Sequence, residues 1–319
     1  MSSRTPSTSP TGTAKSAKSR KAAERQRRDA ELAAERARAE RRRRLRIAVA
    51  SIAAVALVLT GMVVAIVAGL GEGDDAPAAA STSSAAAAVK AATSVPPAAL
   101  DAVGAGTSET PPTRVPDAKA ITQDGKPQVL YVGAEYCPFC AAQRWPVVVA
   151  LSRFGTWKGL GGSESASDDV YPRTKTLTFH GASYTSDYLA FTGVETSTNQ
   201  KVDGSYEKLD ELTGDDAKTF VTYARPPFVS GPAGSIPFLS LGGEFVLGGS
   251  QFVPDVLTGK SRTEIADALD DPTSPTAKAV NGSANVLTAS LCELTGGEPH
   301  DVCMSTGVMT AAEKLDAGS

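Results

Sequence analysis

The sequence predicts an α/β layered domain in the second half of the chain, preceded by one membrane-spanning helix. Beyond residue 112, short apolar runs rich in β-branched residues alternate with helical patterns, which is the element order of layered α/β domains. Residues 47–70 form an uncharged apolar run of 24 residues. The first 46 residues carry 15 Lys and Arg against 5 Asp and Glu, whereas the rest carries 17 basic and 30 acidic residues. Such a division indicates that the two ends occupy different environments.

The apolar run over residues 47–70 predicts a transmembrane helix, because roughly 20 apolar residues cross a bilayer core. The sequence RRRRLR precedes it at residues 41–46, and Glu72, Asp74 and Asp75 follow it. The positive-inside rule then places the N-terminus in the cytoplasm and the C-terminal part outside. A buried core helix and a cleaved signal peptide are the alternatives, but a signal peptide normally has a shorter apolar region and a shorter basic lead. We therefore predict a retained single-pass anchor in the cell membrane.

The segments on either side of this run differ in composition. Residues 1–46 predict a basic cytoplasmic tail that marks the topology and attracts anionic lipid. No base-reading module accompanies the charge, so nucleic acid is not an expected partner. Residues 71–112 are rich in Ala, Ser, Thr and Pro, which predicts a flexible linker. The folded extracytoplasmic domain is accordingly predicted over residues 113–319.

Periodicity and turn residues predict the elements of this domain. The apolar run QVLYV at residues 128–132 predicts a buried strand, and a helical pattern follows over residues 140–154. Further strands are predicted over residues 176–179, 189–195, 238–241 and 244–247, and further helices over residues 206–223, 261–269 and 276–294. Gly242 and Gly243 separate the last two strands and predict a hairpin.

All four cysteines follow the apolar run, and their even number on the extracytoplasmic side fits disulfide chemistry. Cys137 and Cys140 have CxxC spacing between a predicted strand and a predicted helix. The unpaired N–H groups and partial positive charge of a helix N-terminus stabilise a thiolate. Cys140, one turn further along, is placed to attack a mixed disulfide on Cys137 and release the client. We therefore predict Cys137 as the nucleophile and Cys140 as the resolving thiol.

Metal binding and structural disulfides are the other uses that these cysteines could have. A four-ligand zinc site needs a second suitable pair, and the ten residues between Cys292 and Cys303 do not give that spacing. We therefore expect no metal and no cofactor, with a copper or zinc role and an inert disulfide within the CxxC as alternatives. Cys292 and Cys303 are predicted to form a structural disulfide that pins the C-terminal segment. The alternative is a relay pair that exchanges with Cys137 and Cys140.

Two segments resemble thiol-disulfide oxidoreductases. Residues 132–140, VGAEYCPFC, resemble the strand and cysteine segment of thioredoxins. The sequence SIPF at residues 235–238, followed by GEFVLGG at residues 243–249, is similar to the cis-proline loop and hairpin of DsbA-like proteins. The resemblance implies a thioredoxin-like fold, in which helices flank a central mixed sheet. It also implies a cis peptide bond at Pro237, beside the cysteines, and a client-binding role for Ile236.

Around the CxxC, Tyr136 and Phe139 are expected to border the client-binding groove. Two positions depart from the families that the segments resemble. Tyr131 stands six residues before Cys137, where thioredoxins carry a buried acid, and Phe139 stands where strongly oxidising DsbA proteins carry a histidine. Phe139 supplies no positive charge to a thiolate, so a less extreme reduction potential is expected. The overall layout also resembles a family of membrane-anchored actinobacterial proteins with a thioredoxin-like domain.

The sequence thus predicts a membrane-anchored thiol-disulfide oxidoreductase that exchanges disulfides with exported proteins through Cys137 and Cys140. The resemblance implies a quinone-linked membrane oxidase as the partner that reoxidises the pair. Two alternatives stay open: a reductase or isomerase kept reduced by a membrane electron donor, and a thioredoxin-like binding module whose CxxC takes no part in catalysis.

Overall fold

A computed structural model of the chain describes residues 76–316. The predicted basic tail, the predicted transmembrane helix over residues 47–70 and the first five residues of the predicted linker lie outside the described residues. Within residues 76–316, none of the helices combines the length and the apolarity that a membrane crossing requires.

The elements of residues 76–316 follow the alternation that the sequence predicts. The α-helices are α1 (Ala76–Ala92), α2 (Pro97–Val103), α3 (Pro138–Leu151), α4 (Gly214–Tyr223), α5 (Arg262–Asp267), α6 (Pro275–Leu294), α7 (His300–Cys303) and α8 (Thr306–Asp316). The strands are β1 (Thr113–Arg114), β2 (Thr122–Gln123), β3 (Lys126–Gly133), β4 (Gly155–Lys158), β5 (Gly161–Glu164), β6 (Lys175–Thr178), β7 (Ser183–Ser186), β8 (Ala190–Glu195), β9 (Ser197–Val202), β10 (Ser205–Lys208), β11 (Phe238–Leu241) and β12 (Phe245–Gly248). Two 3-10 helices cover Pro254–Leu257 and Ala268–Asp270.

The central sheet is mixed. Its strands follow the order β1–β12–β11–β3, and β8 pairs with β3 in parallel, whereas β11 pairs with β3 antiparallel. The short strand β2 pairs with the first residues of β3. The register places Phe238 opposite Val132 and Glu195 opposite Gly133. The C-terminal end of β3 therefore lies beside both the start of β11 and the end of β8.

Helices cover both faces of this sheet. Along β3, Val129 and Tyr131 belong to the larger apolar core with residues of α3 and α6, whereas Leu130 and Val132 belong to a second core with residues of α4. The alternation follows from the two-residue period of a strand, and burial on both faces explains the uninterrupted apolar run QVLYV. The mixed α/β architecture that the sequence predicts is confirmed.

Most of the predicted elements are confirmed, but the helix predicted over residues 206–223 is wrong in its first half. Strand β10 occupies Ser205–Lys208, and α4 begins only at Gly214. Asp203 and Gly204 have φ values of 51° and 83° and form the tight turn between β9 and β10. An Asp-Gly pair in this conformation is a strong hairpin signal, and it prevents a helix from running through the turn.

The prediction of a flexible linker up to residue 112 is also wrong within the described residues. Helices α1 and α2 occupy much of residues 76–103, and Ala88, Ala92 and Leu100 are buried in the larger core. Helix α1 contacts α5 and β5, and α2 contacts α6 and α8. Alanine has the highest helix propensity and lets a helix pack closely, so an Ala-rich segment can fold where its composition resembles a linker. The folded unit therefore includes α1 and α2 and does not start at residue 113.

Candidate active site

Cys137 caps the N-terminus of α3. Its backbone is extended, and its sulfur accepts a hydrogen bond from the backbone N–H of Cys140 at 3.2 Å. Pro138 occupies the first helical position, where a missing N–H costs nothing. Cys137 is 7% exposed and Cys140 is fully buried, and neither is disulfide-bonded. The helix terminus thus presents one thiol at the edge of the surface and holds the second behind it.

The two thiols have opposite electrostatic environments. The hydrogen bond from the Cys140 side chain, together with backbone N–H groups of Cys140 and Phe139 and the charge of Arg144, lowers the pKa of Cys137 in spite of its burial. Burial raises the pKa of Cys140 well above its ordinary value, and hydrogen bonding to Cys137 raises it further. Negative charge is therefore favoured on Cys137, which is the arrangement that a nucleophile and its resolving partner require.

The Ile236–Pro237 peptide bond is cis and lies at the same edge of the sheet as the CxxC. Pro237 directly precedes Phe238, whose partner Val132 stands near the end of β3. The carbonyl of Pro237 accepts the N–H of Gly249 at 2.8 Å, which ties the turn to the end of β12. Ile236 is half-buried and packs against the second core.

Aromatic rings flank the CxxC on two sides. Tyr136 stacks on Tyr206 of β10 with ring centroids 4.1 Å apart and an interplanar angle of 4°. Phe139 is 38% exposed, and its ring meets Tyr171 at 5.8 Å in an edge-to-face arrangement. Tyr171 lies between β5 and β6, whereas Tyr206 lies in the β9–β10 hairpin. The β5–β6 pair and the β9–β10 pair are both separate from the central sheet. Their tyrosines contact the aromatic residues next to the cysteines.

Tyr131 lies below the CxxC. It is fully buried, its hydroxyl lies 3.5 Å from the carbonyl oxygen of Cys140, and its ring meets Phe179 edge-to-face. Burial raises the pKa of Tyr131 well above its ordinary value, so the phenol is neutral at physiological pH. The position six residues before Cys137 therefore holds a neutral hydroxyl rather than a carboxylate.

A buried ion pair, which the sequence analysis missed, lies next to the cysteines. Arg144 of α3 and Glu195 at the end of β8 are both fully buried and form two hydrogen bonds, Nε to Oε1 at 2.7 Å and Nη2 to Oε2 at 2.6 Å. Burial disfavours the charge on Arg144, but the charge and hydrogen bonds of Glu195, together with Tyr131 and Cys140, outweigh it, and the pKa of Arg144 is raised. Each residue has a sequence feature that could have drawn attention to it, although not to their pairing: Arg144 follows Cys140 by four residues, and Glu195 ends a predicted strand.

Cys292 and Cys303 form a disulfide, with Cα atoms 5.6 Å apart. It joins the last turn of α6 to α7, and both cysteines are buried. This is the pairing that the sequence analysis favours for the two late cysteines. The bond closes a local loop and holds the C-terminal helices against α6.

Two other polar residues of the domain, His180 and Glu135, have hydrogen-bonding partners within the fold. His180 is about half exposed, and its Nδ1 lies 2.7 Å from Oδ1 of Asp210, whose other oxygen accepts the N–H of Glu195. Glu135 is half-buried and donates its N–H to the carbonyl of Ser197. Among residues 76–316, His, Cys, Asp and Glu side chains form no cluster of three that could hold a metal ion.

The fold and this site together define a mixed α/β domain with a CxxC at a helix N-terminus, next to a cis-proline turn. The chain belongs to a domain family of unknown function, DUF929, whose profile matches residues 116–293. The matched region includes the CxxC, the ion pair and Pro237, and it ends between the two cysteines of the disulfide. No curated protein and no solved structure matches the chain.

Proposed function

We propose that the protein is a membrane-anchored, extracytoplasmic thiol-disulfide oxidoreductase that exchanges disulfides with exported proteins through Cys137 and Cys140. One observation carries the proposal: Cys137 caps α3 and its sulfur accepts the backbone N–H of Cys140 at 3.2 Å. A sulfur in this position carries negative charge more easily than an ordinary thiol. The fully buried Cys140 is one turn away, close enough to resolve a mixed disulfide.

A thioredoxin-like fold is part of the proposal. It is supported by the position of the CxxC between β3 and α3, by the parallel neighbour β8, and by the antiparallel strand β11 that follows the cis bond at Pro237. Helices on both faces of the mixed sheet are consistent with it. In this arrangement Ile236 and Pro237 would meet an extended client beside Cys137, with Phe139 and Tyr136 at the border of the groove.

The proposed location outside the cytoplasm rests on two features. The charge pattern around residues 47–70 predicts a membrane anchor with the C-terminal part outside. The disulfide between Cys292 and Cys303 fits an oxidising compartment, where such bonds persist. An anchored domain has access to exported clients and to a membrane-bound redox partner.

The proposed cycle transfers a disulfide from the protein to a client. A client thiolate attacks Sγ of Cys137 in the Cys137–Cys140 disulfide, and Cys140 leaves as a thiolate that takes up a proton. A second client thiolate then attacks the client sulfur of the mixed disulfide, and Cys137 leaves as a thiolate. The client loses two electrons and the cysteine pair gains them. A quinone-linked membrane oxidase would accept these electrons and restore the disulfide.

The reduction potential of the cysteine pair tests the proposal and its direction. The full-length chain in detergent is equilibrated with glutathione buffers, the thiols are trapped by alkylation, and the peptide carrying Cys137 and Cys140 is quantified by mass spectrometry. A potential near or above about −180 mV supports an oxidase or isomerase, whereas one near about −270 mV supports a reductase.

The Cys140→Ala variant provides the second arm of the test. It is expected to accumulate a glutathione mixed disulfide on Cys137, whereas the matched Cys137→Ala variant leaves the buried Cys140 unmodified. A wild-type pair that never exchanges with glutathione, together with an unmodified Cys137 in Cys140→Ala, would overturn the enzymatic proposal. The binding-module alternative would then take its place.

A further inference from the structure

The stability of the fold does not by itself explain the buried ion pair between Arg144 and Glu195. Both side chains are fully removed from solvent, and bringing two charges into the interior costs several kcal/mol per ion. A pair of apolar side chains of similar volume is often as stable or more stable at such a position. Stability alone therefore does not account for an arginine at this site, and its position points to the cysteines.

Helical spacing places Arg144 on the same face of α3 as the two cysteines. It follows Cys140 by four residues and Cys137 by seven, so the three side chains share one face of α3. Its Nη2 also donates to the carbonyl of Ala134 at 2.8 Å, in the loop between β3 and Cys137. The guanidinium is thus fixed against β8 through Glu195 and against the cysteine loop through Ala134.

One nitrogen of this guanidinium takes no part in these hydrogen bonds. Nη1 of Arg144 is buried and has no hydrogen-bond partner among the residues that the structure describes. A buried donor without an acceptor is costly, and such donors need an explanation. A negative charge that appears on the nearby sulfurs only during the reaction provides one, because the free donor and its positive charge would then stabilise it.

We propose that Arg144 is a positioning residue of the cysteine pair, which Glu195 and the Ala134 carbonyl hold in place and whose positive charge stabilises the thiolates that form on Cys137 and Cys140. The inference rests on the proposed function for the reaction in which those thiolates form. In that reaction Cys140 leaves as a thiolate in the first step and Cys137 in the second, so both steps place negative charge beside Arg144. This charge comes from a residue further along α3, whereas the two residues between the cysteines, Pro138 and Phe139, are apolar.

The other ionisable groups near the sulfurs do not supply this charge. Tyr131 from β3 and Tyr136 from the cysteine loop have raised pKa values because of their burial, and both are neutral at physiological pH. Glu135 and Glu195 are carboxyl groups and cannot supply positive charge. Arg144 acts on both thiols and lowers the pKa of each, in opposition to burial. Among the groups that shift the pKa values of the two thiols, Arg144 is the one that carries positive charge.

Two single substitutions test the inference because they predict shifts of opposite sign. The probe is the pH dependence of alkylation of Cys137 by iodoacetamide, in the reduced full-length chain and with the modified residue identified by mass spectrometry. Arg144→Gln removes the cation and is expected to raise the pKa of Cys137 by about one pH unit, which lowers alkylation roughly tenfold at a pH well below that value. Glu195→Gln leaves the cation uncompensated and is expected to lower the pKa of Cys137.

Three controls separate charge from packing. Gln143→Leu removes an equally buried side chain of α3 that is paired with Gln251, and it changes no charge; the pKa of Cys137 is expected to stay as in the wild type. Arg144→Lys keeps the charge and is expected to recover part of the shift seen in Arg144→Gln. If a single variant does not fold, the double variant Arg144→Met with Glu195→Leu replaces the pair by apolar groups and is expected to raise the pKa of Cys137.

The outcomes are distinct from those of the proposed function. Shifts in the same direction for Arg144→Gln and Glu195→Gln, or a Cys137 pKa that neither Arg144→Gln nor the double variant changes, would overturn the inference. Alkylation does not require exchange with a client, so opposite shifts would support it even in a chain that never forms a mixed disulfide. Conversely, a chain that exchanges disulfides normally but shows no shift keeps its proposed function without a role for Arg144.

Discussion

The backbone N–H of Cys140 donates to the sulfur of Cys137 across the first turn of α3, at 3.2 Å. The contact makes the two cysteines unequal, although they are only three residues apart. The first sulfur receives N–H groups from the helix terminus, while the second is fully enclosed behind it. An asymmetric pair can assign the attack to one sulfur and the resolution to the other.

The asymmetry predicts different reactivity of the two thiols. Cys137 in the reduced chain is expected to be alkylated with a pKa below the value of about 8.5 that an ordinary thiol has. The Cys140→Ala variant is expected to raise the pKa of Cys137, because it removes the side-chain hydrogen bond that lowers it most. Iodoacetamide rates measured across pH 5–10 check both. A wild-type Cys137 that titrates at or above about 8.5 would contradict this assignment.

The buried thiol of Cys140 predicts that the reduced chain loses stability in alkaline solution. The unfolded chain releases this proton near pH 8.5, whereas the folded chain retains it to higher pH because burial raises the pKa of Cys140. The unfolded state is therefore favoured as the pH rises above about 8.5. Cys137 has the opposite effect, because its pKa is lowered in the folded chain. Its ionisation adds stability as the pH rises up to about 8.5, and it changes the stability no further above that pH.

Urea midpoints of the reduced chain at pH 7.5, 8.5 and 9.5 measure this effect. The Cys140→Ala variant is the matched control, because it keeps the other buried groups, such as Tyr131. The wild type is expected to lose more stability than Cys140→Ala between pH 8.5 and 9.5. Equal losses in the two proteins would show that the folded chain does not hold the Cys140 proton.

The site could be predicted from the sequence only where the relevant residues are close together in the chain. Strand β3, the position of the CxxC between a strand and a helix, and the turn at Gly242 and Gly243 each have a local pattern, and these placements are confirmed by the elements of the structure. Glu195 meets Arg144 only because β8 pairs with β3 in parallel register, which no local pattern specifies. The pair was therefore missed, although both residues belong to predicted elements.

Composition misled the prediction of the domain start. The residues that become α1 are mostly Ala, Ser and Thr and include hardly any large apolar side chain, so they resemble a tether when considered alone. Helix α1 nevertheless contacts α5 and β5, which depends on a partner surface elsewhere in the chain. A local pattern could have revealed the β9–β10 hairpin, because Asp203 and Gly204 form a common hairpin dipeptide.

The burial of α2 predicts that Leu100→Ala is strongly destabilising. Leu100 is 3% exposed in the larger core, and truncation of a buried leucine costs about 2–5 kcal/mol of unfolding free energy. Val221→Ala is the matched control, since this side chain of α4 is 68% exposed and its truncation should change little. Urea unfolding of both variants measures the difference. A Leu100→Ala protein as stable as the control would restore the flexible linker that the composition suggests.

The disulfide between Cys292 and Cys303 predicts a loss of stability without a loss of exchange chemistry. The double variant Cys292→Ala with Cys303→Ala is expected to lose about 2–4 kcal/mol of unfolding free energy, because the unfolded chain is no longer constrained by the closed loop. If the bond only pins α7 to α6, the double variant should equilibrate with glutathione at the wild-type potential of Cys137 and Cys140. A relay pair would behave differently: the rate at which the Cys137–Cys140 disulfide is restored would fall while the stability loss stayed the same. The rate at which the Cys137–Cys140 disulfide is restored in the full-length double variant therefore decides between the structural and the relay roles, because the stability loss is expected for both.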